Sequence, residues 1–339
     1  CLADKSADID RIDVWLSSFD VCGMGKDDRH TGMKNWKRRA LVLLGILGTI
    51  YVGVGVYFWS NQTQIVFMPV AAIVRTPGDL GVDRYENVQF PVAGSAGEIQ
   101  LDGVWIEAGG EGEQAPVILY LHGNNSTIGK NPDRIKRMHQ CGCHLLLFDY
   151  RGYGKSYGTI EPSEKKVNED AEAAWDYLTE EEGIAPSRIV IYGHSLGGAI
   201  AIELASHHPD AAGLITESTF TSSLDMSEWK YGGLLQIFPM DWLLQSDFDS
   251  IGTIASLQIP ILLIHGEADP KVPHAMSIQL HDRASRSAEL LLFSDADHSN
   301  CGFHRPKKYR QTVKGFVDRC VKGSPINVTN IPESDFSIQ

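Results

Sequence analysis

The sequence predicts an α/β protein in which helices cover both faces of a mostly parallel sheet. Short, continuously apolar runs recur along the chain, as is typical of strands that are buried on both faces. Segments with helical periodicity separate these runs, and that alternation is typical of a doubly wound sheet. A Gly-x-Ser-x-Gly sequence around Ser195 joins one apolar run directly to a helix. These three observations together define the expected fold class.

The composition is that of a globular protein with an excess of acidic residues. The chain has 339 residues, of which 43% are hydrophobic, and its formal net charge is −13. This charge argues against a nucleic-acid partner. The six cysteines show no zinc-ligand spacing and are expected to be buried free thiols, with a Cys301–Cys320 disulfide as the alternative. The sequence begins with Cys1 in place of Met, as is expected of a processed or shortened chain.

The N-terminal part of the chain predicts a membrane anchor that follows a polar tail, residues 1–39. The segment Ala40–Trp59 contains no charged residue, and as a helix it would cross the hydrocarbon core of a bilayer, which is about 30 Å thick. Basic residues precede this segment more often than they follow it, so the positive-inside rule predicts a cytosolic N-terminus. Everything after Ser60 would then lie on the lumenal or extracellular side. A signal peptide or a buried core helix is the alternative.

The rest of the chain is predicted to be a linker (60–85), a catalytic domain (86–322) and a C-terminal tail (323–339). Alternating apolar and polar residues predict an antiparallel pair of strands at the start of the domain. Predicted strands lie at 88–90, 99–106, 116–121, 143–148, from 189, and at 212–216, 259–264 and 289–293. Helices are predicted at 133–140, after a cap at Pro162-Ser163, and after Ser195.

Ser195 is the predicted nucleophile. An abrupt turn from strand to helix strains the residue at its apex and requires neighbours without bulk, which explains the flanking Gly193 and Gly197. The following helix would direct its N-terminal N–H groups at whatever reacts with Ser195. The alternative is an ordinary serine in a glycine-rich loop. The apolar strand before Ser195 and the Ala/Ile/Leu-rich helix after it favour the nucleophile.

Asp269 and His298 are predicted to complete a Ser-His-Asp triad. A serine needs a base that a third group holds in place, and in such sheets the order along the chain is serine, acid, histidine. Asp269 and His298 each follow a predicted strand, so both are expected at the same carboxyl edge as Ser195. The predicted reaction is acyl transfer with His298 as the general base.

Other carboxylates compete with Asp269 for the role of the acid. Glu217 follows an earlier strand, and Glu267 lies in the same loop as Asp269. Asp295 and Asp297 are expected to be turn residues. The position of Asp269 in its loop favours it over the others.

Two backbone N–H groups are expected to stabilise the oxyanion. One belongs to Leu196, directly after the nucleophile, and the other to Asn124 in the loop after strand 116–121. A plain tight turn at His122-Gly123 is the alternative interpretation of that loop. Its position one strand away from Ser195 favours a role in catalysis.

Residues 219–258 are too apolar for a solvated loop and predict a cap over the site. The alternative is a cap that only packs on the core. We expect Trp229 and Trp242 to line a pocket for an acyl chain. Gly152–Ser156 imitates the end of a phosphate-binding loop, but Asp149 stands where that motif needs glycine. No nucleotide, metal or other cofactor is therefore predicted.

Four segments of the chain together resemble the α/β-hydrolase superfamily. They are Leu119–Asn124, Phe148–Ser156, Gly193–Gly198 and His265–Pro273. Within the superfamily the chain resembles membrane-anchored α/β-hydrolase domain-containing serine hydrolases, which include lysophospholipid and monoacylglycerol lipases, protein depalmitoylases and uncharacterised relatives. The resemblance covers about residues 86–321. It implies an eight-stranded sheet and a cofactor-independent hydrolysis, with Ser195 as nucleophile, Asp269 as acid and His298 as base.

The resulting prediction is a membrane-anchored serine hydrolase that acts on carboxylic esters with a lipid-like structure. An acyl-protein thioesterase and a serine peptidase are the alternative enzymes. A hydrolase fold that serves as a membrane scaffold without catalysis is the alternative from another class.

Overall fold

The structure is a computed structural model that describes residues 26–72, 76–93, 99–109, 112, 114–130, 132–156, 160–232, 237–284 and 288–323. The side chains of residues 26–34, 80, 241 and 242 lie outside this description. So do most of the predicted N-terminal tail and nearly all of the predicted C-terminal tail. The chain divides into two units, Cys1–Tyr57 and Phe58–Gln339.

The first unit contains most of a long helix, α1 (Lys26–Ser60). Within α1, Asn35–Ser60 is long and apolar enough to cross a membrane, and none of its most apolar window is buried. A helix that exposes apolar side chains all round is suited to lipid and not to water. It contains the predicted membrane-spanning segment Ala40–Trp59. The direction in which the helix crosses the membrane stays a prediction.

The second unit is built on an eight-stranded sheet in the order β1-β2-β4-β3-β5-β6-β7-β8. The strands are β1 (Tyr85–Pro91), β2 (Gln100–Ile106), β3 (Val117–Leu121), β4 (His144–Phe148), β5 (Ile189–His194), β6 (Gly213–Glu217), β7 (Ile261–Gly266) and β8 (Ala288–Phe293). Strand β2 is antiparallel to both β1 and β4, and all other neighbours are parallel. The predicted mostly parallel sheet is confirmed.

Helices connect most of the strands and cover the sheet. They are α2 (Gln62–Val66), α3 (Pro132–His139), α4 (Glu164–Asp176), α5 (Leu196–His207), α6 (Ser223–Tyr231), α7 (Met240–Leu243), α8 (Ser250–Ile254), α9 (Ala275–Arg283), α10 (Cys301–His304) and α11 (Pro306–Lys322). Helix α4 begins where expected, because the Ser163 hydroxyl accepts a hydrogen bond from the Lys166 N–H. Short 3₁₀ turns lie at Pro77–Leu80, Ile128–Lys130 and Pro186–Arg188.

The core lies on both faces of the sheet. Strand β3 shows this most simply, since all five of its residues are buried. Val117, Leu119 and Leu121 belong to the cluster on one face, whereas Ile118 and Tyr120 belong to the cluster on the other. Successive side chains of a strand point to opposite faces, so a strand covered on both sides becomes a continuous apolar run.

The segment directly before β1, inside the predicted linker 60–85, packs against the domain. Phe67 is buried in the core. The Gln62 Nε2 donates a hydrogen bond to the Leu243 carbonyl at 2.5 Å, and the Gln245 N–H donates to the Gln62 Oε1 at 2.8 Å. Residues 62–67 are therefore held by both the core and the region predicted to be a cap.

Candidate active site

Ser195 is the single residue between the end of β5 at His194 and the start of α5 at Leu196. Its backbone has φ +56° and ψ −120°, a conformation that is strained for any residue with a side chain. A Cβ on Gly193 would lie 2.1 Å from the Gly197 carbonyl oxygen, and one on Gly197 would lie 2.2 Å from the Leu121 carbonyl oxygen. No side chain fits at either position, which explains the Gly-x-Ser-x-Gly spacing.

The structure brings Ser195, His298 and Asp269 into one hydrogen-bonded line. The Ser195 Oγ lies 3.0 Å from the His298 Nε2, and the His298 Nδ1 lies 2.7 Å from the Asp269 Oδ2. All three residues are buried. Because the carboxyl ends of β5, β7 and β8 meet at one edge of the sheet, residues that are 103 and 29 positions apart in sequence come into contact.

Asp269 accepts hydrogen bonds at both of its carboxylate oxygens. Its Oδ1 accepts from the N–H groups of Lys271 and Val272 at 2.8 and 3.0 Å, and its Oδ2 also lies 3.1 Å from the His265 Nε2. Burial raises the pKa of Asp269, but the hydrogen bonds from His265, His298 and Val272 outweigh burial and hold that pKa well below its usual value. A charged Asp269 fixes the proton of His298 on Nδ1. The Nε2 is then free to accept the Ser195 proton.

The rival carboxylate Glu217 faces a different partner. Its Oε1 lies 2.8 Å from an Arg134 nitrogen, and its Oε2 accepts hydrogen bonds from the hydroxyls of Tyr309, at 2.8 Å, and Tyr192. Burial raises the pKa of Glu217, but the Arg134 charge and smaller contributions, which include the hydrogen bond from Tyr192, together outweigh burial and bring that pKa to about 2. Among the described residues, Glu217 forms no hydrogen bond or ion pair with the ring of His298.

The remaining rival acids lie outside this line. Glu267 is exposed. Asp297 accepts a hydrogen bond from the Ser299 N–H at 2.9 Å, as expected of a turn residue, and Asp295 lies 3.8 Å from Arg305. Of the four candidate carboxylates besides Glu217, Asp269 is the one that forms a hydrogen bond with the ring of His298 in the described structure.

Two buried residues that sequence analysis missed hold the backbone around His298. The His194 Nε2 lies 2.9 Å from the His298 carbonyl oxygen, and Arg134 donates to the Ser299 carbonyl at 3.5 Å. Burial, with smaller contributions from Arg134 and His298, lowers the pKa of His194 far below its usual value, so His194 is neutral. A signal was present for Arg134, because an arginine flanked by Ile135 and Met138 on a short helix is unusual in a core.

The loop after β3 lies against Ser195. A Cβ on Gly123 would lie 3.1 Å from the Ser195 Cβ, and the Asn124 side chain donates to the Val66 carbonyl at 3.1 Å. In the part of the chain that the structure describes, the backbone N–H groups of Leu196 and Asn124 donate no hydrogen bond. Both residues line the cavity at Ser195. Their role as oxyanion donors stays a prediction.

A cavity of about 820 Å³ opens beside Ser195. Trp229 of α6 lines it and is 45% exposed, whereas the side chain of Trp242 lies outside the described residues. Much of the wall is apolar, with contributions from Phe58, Ile65, Val66, Phe220, Met226 and Leu243. Sequence analysis expected the cap to line a pocket for an acyl chain. The segment 58–68, which begins in the last turn of α1, also supplies part of the cavity wall.

Comparison with known proteins identifies the family. A family described as "Serine aminopeptidase, S33" matches residues 112–245. The α/β hydrolase domain-containing protein WAV2 of Arabidopsis thaliana is 31% identical over 257 residues, which cover 71% of this chain and 81% of the relative. The chain belongs to the α/β-hydrolase superfamily. This confirms the resemblance on which the sequence analysis relied.

The chain is also similar to other proteins in sequence or in fold. Lysophosphatidylserine lipase ABHD12 of Danio rerio is 30% identical over 306 residues, 79% of this chain and 78% of that protein. The uncharacterized protein Rv2307c of Mycobacterium tuberculosis is 31% identical over 269 residues, 77% of this chain and 89% of that protein. The solved esterase Pf2001 of Pyrococcus furiosus shares the fold, with a TM-score of 0.59 at 24% identity over 75% of this chain and 98% of that one.

Proposed function

We propose that this protein is a serine hydrolase that cleaves carboxylic esters of lipid-like substrates through an acyl-enzyme. The observation that supports the proposal most strongly is the hydrogen-bonded line from Ser195 through His298 to Asp269, at the wall of a largely apolar cavity. The similarity to a lysophosphatidylserine lipase supports an ester of a single acyl chain.

In the proposed mechanism, the His298 Nε2 accepts the Ser195 proton as the Ser195 Oγ attacks the ester carbonyl. The N–H groups of Leu196 and Asn124 donate to the oxyanion, and one such donor typically lowers the barrier by roughly 2.7–4 kcal/mol. The imidazolium of His298, stabilised by Asp269, then returns its proton to the leaving alkoxide. Water repeats the sequence on the acyl-enzyme and releases the carboxylic acid.

The acyl chain would lie along the apolar part of the cavity wall, including Trp229 and the predicted Trp242. Phe58 lies in helix α1, two residues before its end at Ser60, and its side chain lines the cavity. The wall is therefore continuous along the chain with the predicted membrane anchor. Such a connection suits a substrate that is dissolved in a bilayer.

The cavity wall also bears on the alternative of an aminopeptidase. An aminopeptidase binds a positively charged α-amino group, for which a carboxylate is the natural partner. Among the described residues of the wall there is no Asp or Glu, whereas Lys130, Lys230 and Lys271 are present. This wall would repel an α-amino group. The same wall is compatible with an acyl-protein thioesterase, so the experiment below also tests a thioester.

The proposal is tested by measuring hydrolysis of p-nitrophenyl esters of increasing chain length by the full chain in neutral detergent. The full chain is needed because Phe58 and Gln62 line the cavity. We expect kcat/KM to rise with chain length and to fall by at least about 10⁴-fold in Ser195→Ala, because the nucleophile is lost. A thioester with the same acyl group distinguishes an esterase from a thioesterase.

Other outcomes would contradict parts of the proposal. Activity confined to the shortest esters would contradict the acyl-chain pocket. A faster reaction with the thioester would favour the thioesterase. Absence of ester hydrolysis, together with absence of Ser195 labelling by a fluorophosphonate probe, would contradict catalysis and favour the scaffold.

A further inference from the structure

The loop after β3, which carries a predicted oxyanion donor, has no regular structure at its centre. It leads to the turn Ile128–Lys130, where the Ile128 N–H donates to the Asp149 Oδ1 at 2.8 Å. The residues before this turn, 122–127, form neither helix nor strand. A misplacement of about 1 Å in an active site can slow a reaction by about 10²-fold. The direction of the Asn124 N–H therefore depends on contacts from outside the loop.

Two carbonyl groups of the segment 62–67 provide such contacts. The Asn124 Nδ2 donates to the Val66 carbonyl at 3.1 Å, and the Asn125 N–H donates to the Phe67 carbonyl at 3.4 Å. Val66 is the last residue of α2, and the last carbonyl groups of a helix have no partner within the helix. Two consecutive residues of the loop thus pair with acceptors that the end of α2 leaves open.

The domain holds the segment 62–67 at both of its ends. Phe67 is buried in the core, and the centre of its ring lies 6.0 Å from that of Phe248. The Phe67 carbonyl also accepts a hydrogen bond from the Tyr153 hydroxyl. At the other end, Gln62 exchanges the two hydrogen bonds with the cap that are described above. The segment can therefore serve as a fixed support for the loop.

The side chain and the backbone of Asn124 have different surroundings. The side chain donates to Val66, whereas the backbone N–H donates no hydrogen bond among the described residues. Asn124 also lines the cavity beside Ser195. Because both groups belong to one residue, a hydrogen bond that fixes the side chain also restricts the rotation of its backbone N–H. An alanine at this position would keep the N–H and lose the restraint.

We propose that the side-chain amide of Asn124 is a positioning group, which the Val66 carbonyl holds so that the Asn124 N–H points at the oxyanion. The segment 62–67 then supports catalysis through this contact, although it lies outside the predicted catalytic domain 86–322. This inference rests on the proposed function. It goes beyond that function because it assigns a role to a side chain that the oxyanion donor itself does not require.

The test compares catalysis with the binding of two inhibitors by the full chain in neutral detergent. The substrate is p-nitrophenyl laurate. One inhibitor is a trifluoromethyl ketone with a chain of the same length. The Ser195 Oγ forms a bond to its carbonyl carbon, the Ser195 proton passes to His298, and the carbonyl oxygen becomes an oxyanion. The other inhibitor is 1-dodecanol, which enters an apolar pocket but forms no oxyanion.

The variants are Asn124→Ala, Asn124→Gln and a matched control, Gln89→Ala. Gln89 also donates a hydrogen bond through its side-chain amide, to the Asp102 Oδ1 at 2.9 Å. It is exposed and is not among the described residues that line the cavity. All constants are expressed per active site, as titrated with a fluorophosphonate. A loss of folded protein therefore lowers the number of sites and leaves the constants unchanged.

We expect Asn124→Ala to lower kcat/KM by roughly 10-fold to 100-fold, because a misplaced donor costs less than a lost one. The Ki of the ketone rises by a similar factor, while the Ki of the alcohol stays unchanged. Asn124→Gln keeps an amide and recovers part of both losses. Gln89→Ala changes none of these constants.

A second variant tests whether the effect passes through the segment. Phe67→Leu removes the ring that holds the end of the segment in the core. It is expected to raise the Ki of the ketone in the wild type and by a smaller factor in Asn124→Ala, where one contact between segment and loop is already absent. Equal factors in the two backgrounds would overturn the route through the segment.

The remaining outcomes separate the inference from the proposed function. Wild-type constants per active site in Asn124→Ala would overturn the positioning role alone. An equal rise in the Ki of ketone and alcohol would also overturn it, because the side chain would then shape the pocket and not the oxyanion site. A wild type with neither ester hydrolysis nor Ser195 labelling would overturn the proposed function, and the inference with it.

Discussion

Glu217 and Asp269 are buried carboxylates that lie at the carboxyl ends of the neighbouring strands β6 and β7, but they have different roles. Glu217 is the last residue of β6, and Asp269 follows β7 by three residues. Both keep a pKa below the usual value despite burial. Their partners differ, because Asp269 contacts His298 and His265 whereas Glu217 contacts Arg134 and two tyrosines.

The difference between the partners decides what each carboxylate can do. An imidazole gains and loses a proton near neutral pH, whereas a guanidinium stays charged at every pH that a protein survives. Asp269 can therefore take part in a proton transfer through His298. Glu217 and Arg134 form an ion pair that stays charged. Its contribution is to hold the backbone beside His298 in position.

The two networks meet at one loop. Asp269 holds the ring of His298, while His194 holds its carbonyl and Arg134 holds the next carbonyl, that of Ser299. We infer that the first network determines which ring nitrogen of His298 carries the proton. The second network fixes the position of the His298 backbone. The predictions below separate these contributions.

The largest effect is expected from Asp269→Asn. An asparagine amide in place of the carboxylate favours the wrong tautomer of His298, and in a Ser-His-Asp triad this change typically lowers kcat by roughly 10⁴-fold. The measurement is kcat on a long-chain p-nitrophenyl ester, with the melting temperature recorded in parallel. Glu217→Gln is the matched control, with an expected loss of turnover per folded molecule that is far smaller. Equal losses in the two variants would contradict the division of roles.

The next largest effect is on stability and comes from Arg134→Met. The change leaves Glu217 buried without its cation, and breaking such a pair typically costs about 3–5 kcal/mol of the free energy of unfolding. Thermal unfolding of the full chain in detergent, followed by near-UV circular dichroism, measures the loss.

A double-variant cycle shows whether the loss of stability belongs to the pair. Replacing both partners, in Arg134→Met with Glu217→Met, removes the uncompensated charge and is expected to recover part of the stability. A double variant that is as unstable as the sum of the single variants would show that Arg134 acts through other contacts, such as the one to Ser299.

The strands were predictable from the sequence because their signal is local. The predicted strand 143–148 corresponds to β4 (His144–Phe148), and 259–264 corresponds to β7 (Ile261–Gly266), shifted by two residues. A strand buried on both faces is an uninterrupted apolar run. The residues at which a strand begins and ends depend on hydrogen bonds to the neighbouring strands, and the apolar run does not reveal these.

The site was predictable only in part. The turn at Ser195 is local, since Gly193 and Gly197 lie within two residues of it. The partner of Glu217 is 83 positions away, so the sequence could not show that its charge is already paired. The same holds for Gln62, which contacts a carbonyl 181 positions away and places the predicted linker in the cavity wall.

The smallest effect concerns acid pH and compares two buried tyrosines. Glu217 has a pKa of about 2 in the folded protein and 4.5 in its ordinary state, so it stabilises the fold above about pH 4.5 and this contribution is lost as the pH falls toward 2. Tyr192→Phe removes a hydrogen bond to the Glu217 carboxylate and is expected to lower the free energy of unfolding by about 1 kcal/mol at pH 7. It also raises the pKa of Glu217 in the folded protein, so the midpoint of acid unfolding moves to higher pH.

Tyr153→Phe provides the matched control, because the Tyr153 hydroxyl donates to the neutral Phe67 carbonyl. It is expected to cost a similar free energy at pH 7. Unfolding curves recorded from pH 7 to pH 2 would then show a larger shift of the acid midpoint for Tyr192→Phe, since only that variant changes the charge equilibrium of Glu217. Equal shifts in the two variants would mean that acid sensitivity follows overall stability and not the environment of this carboxylate.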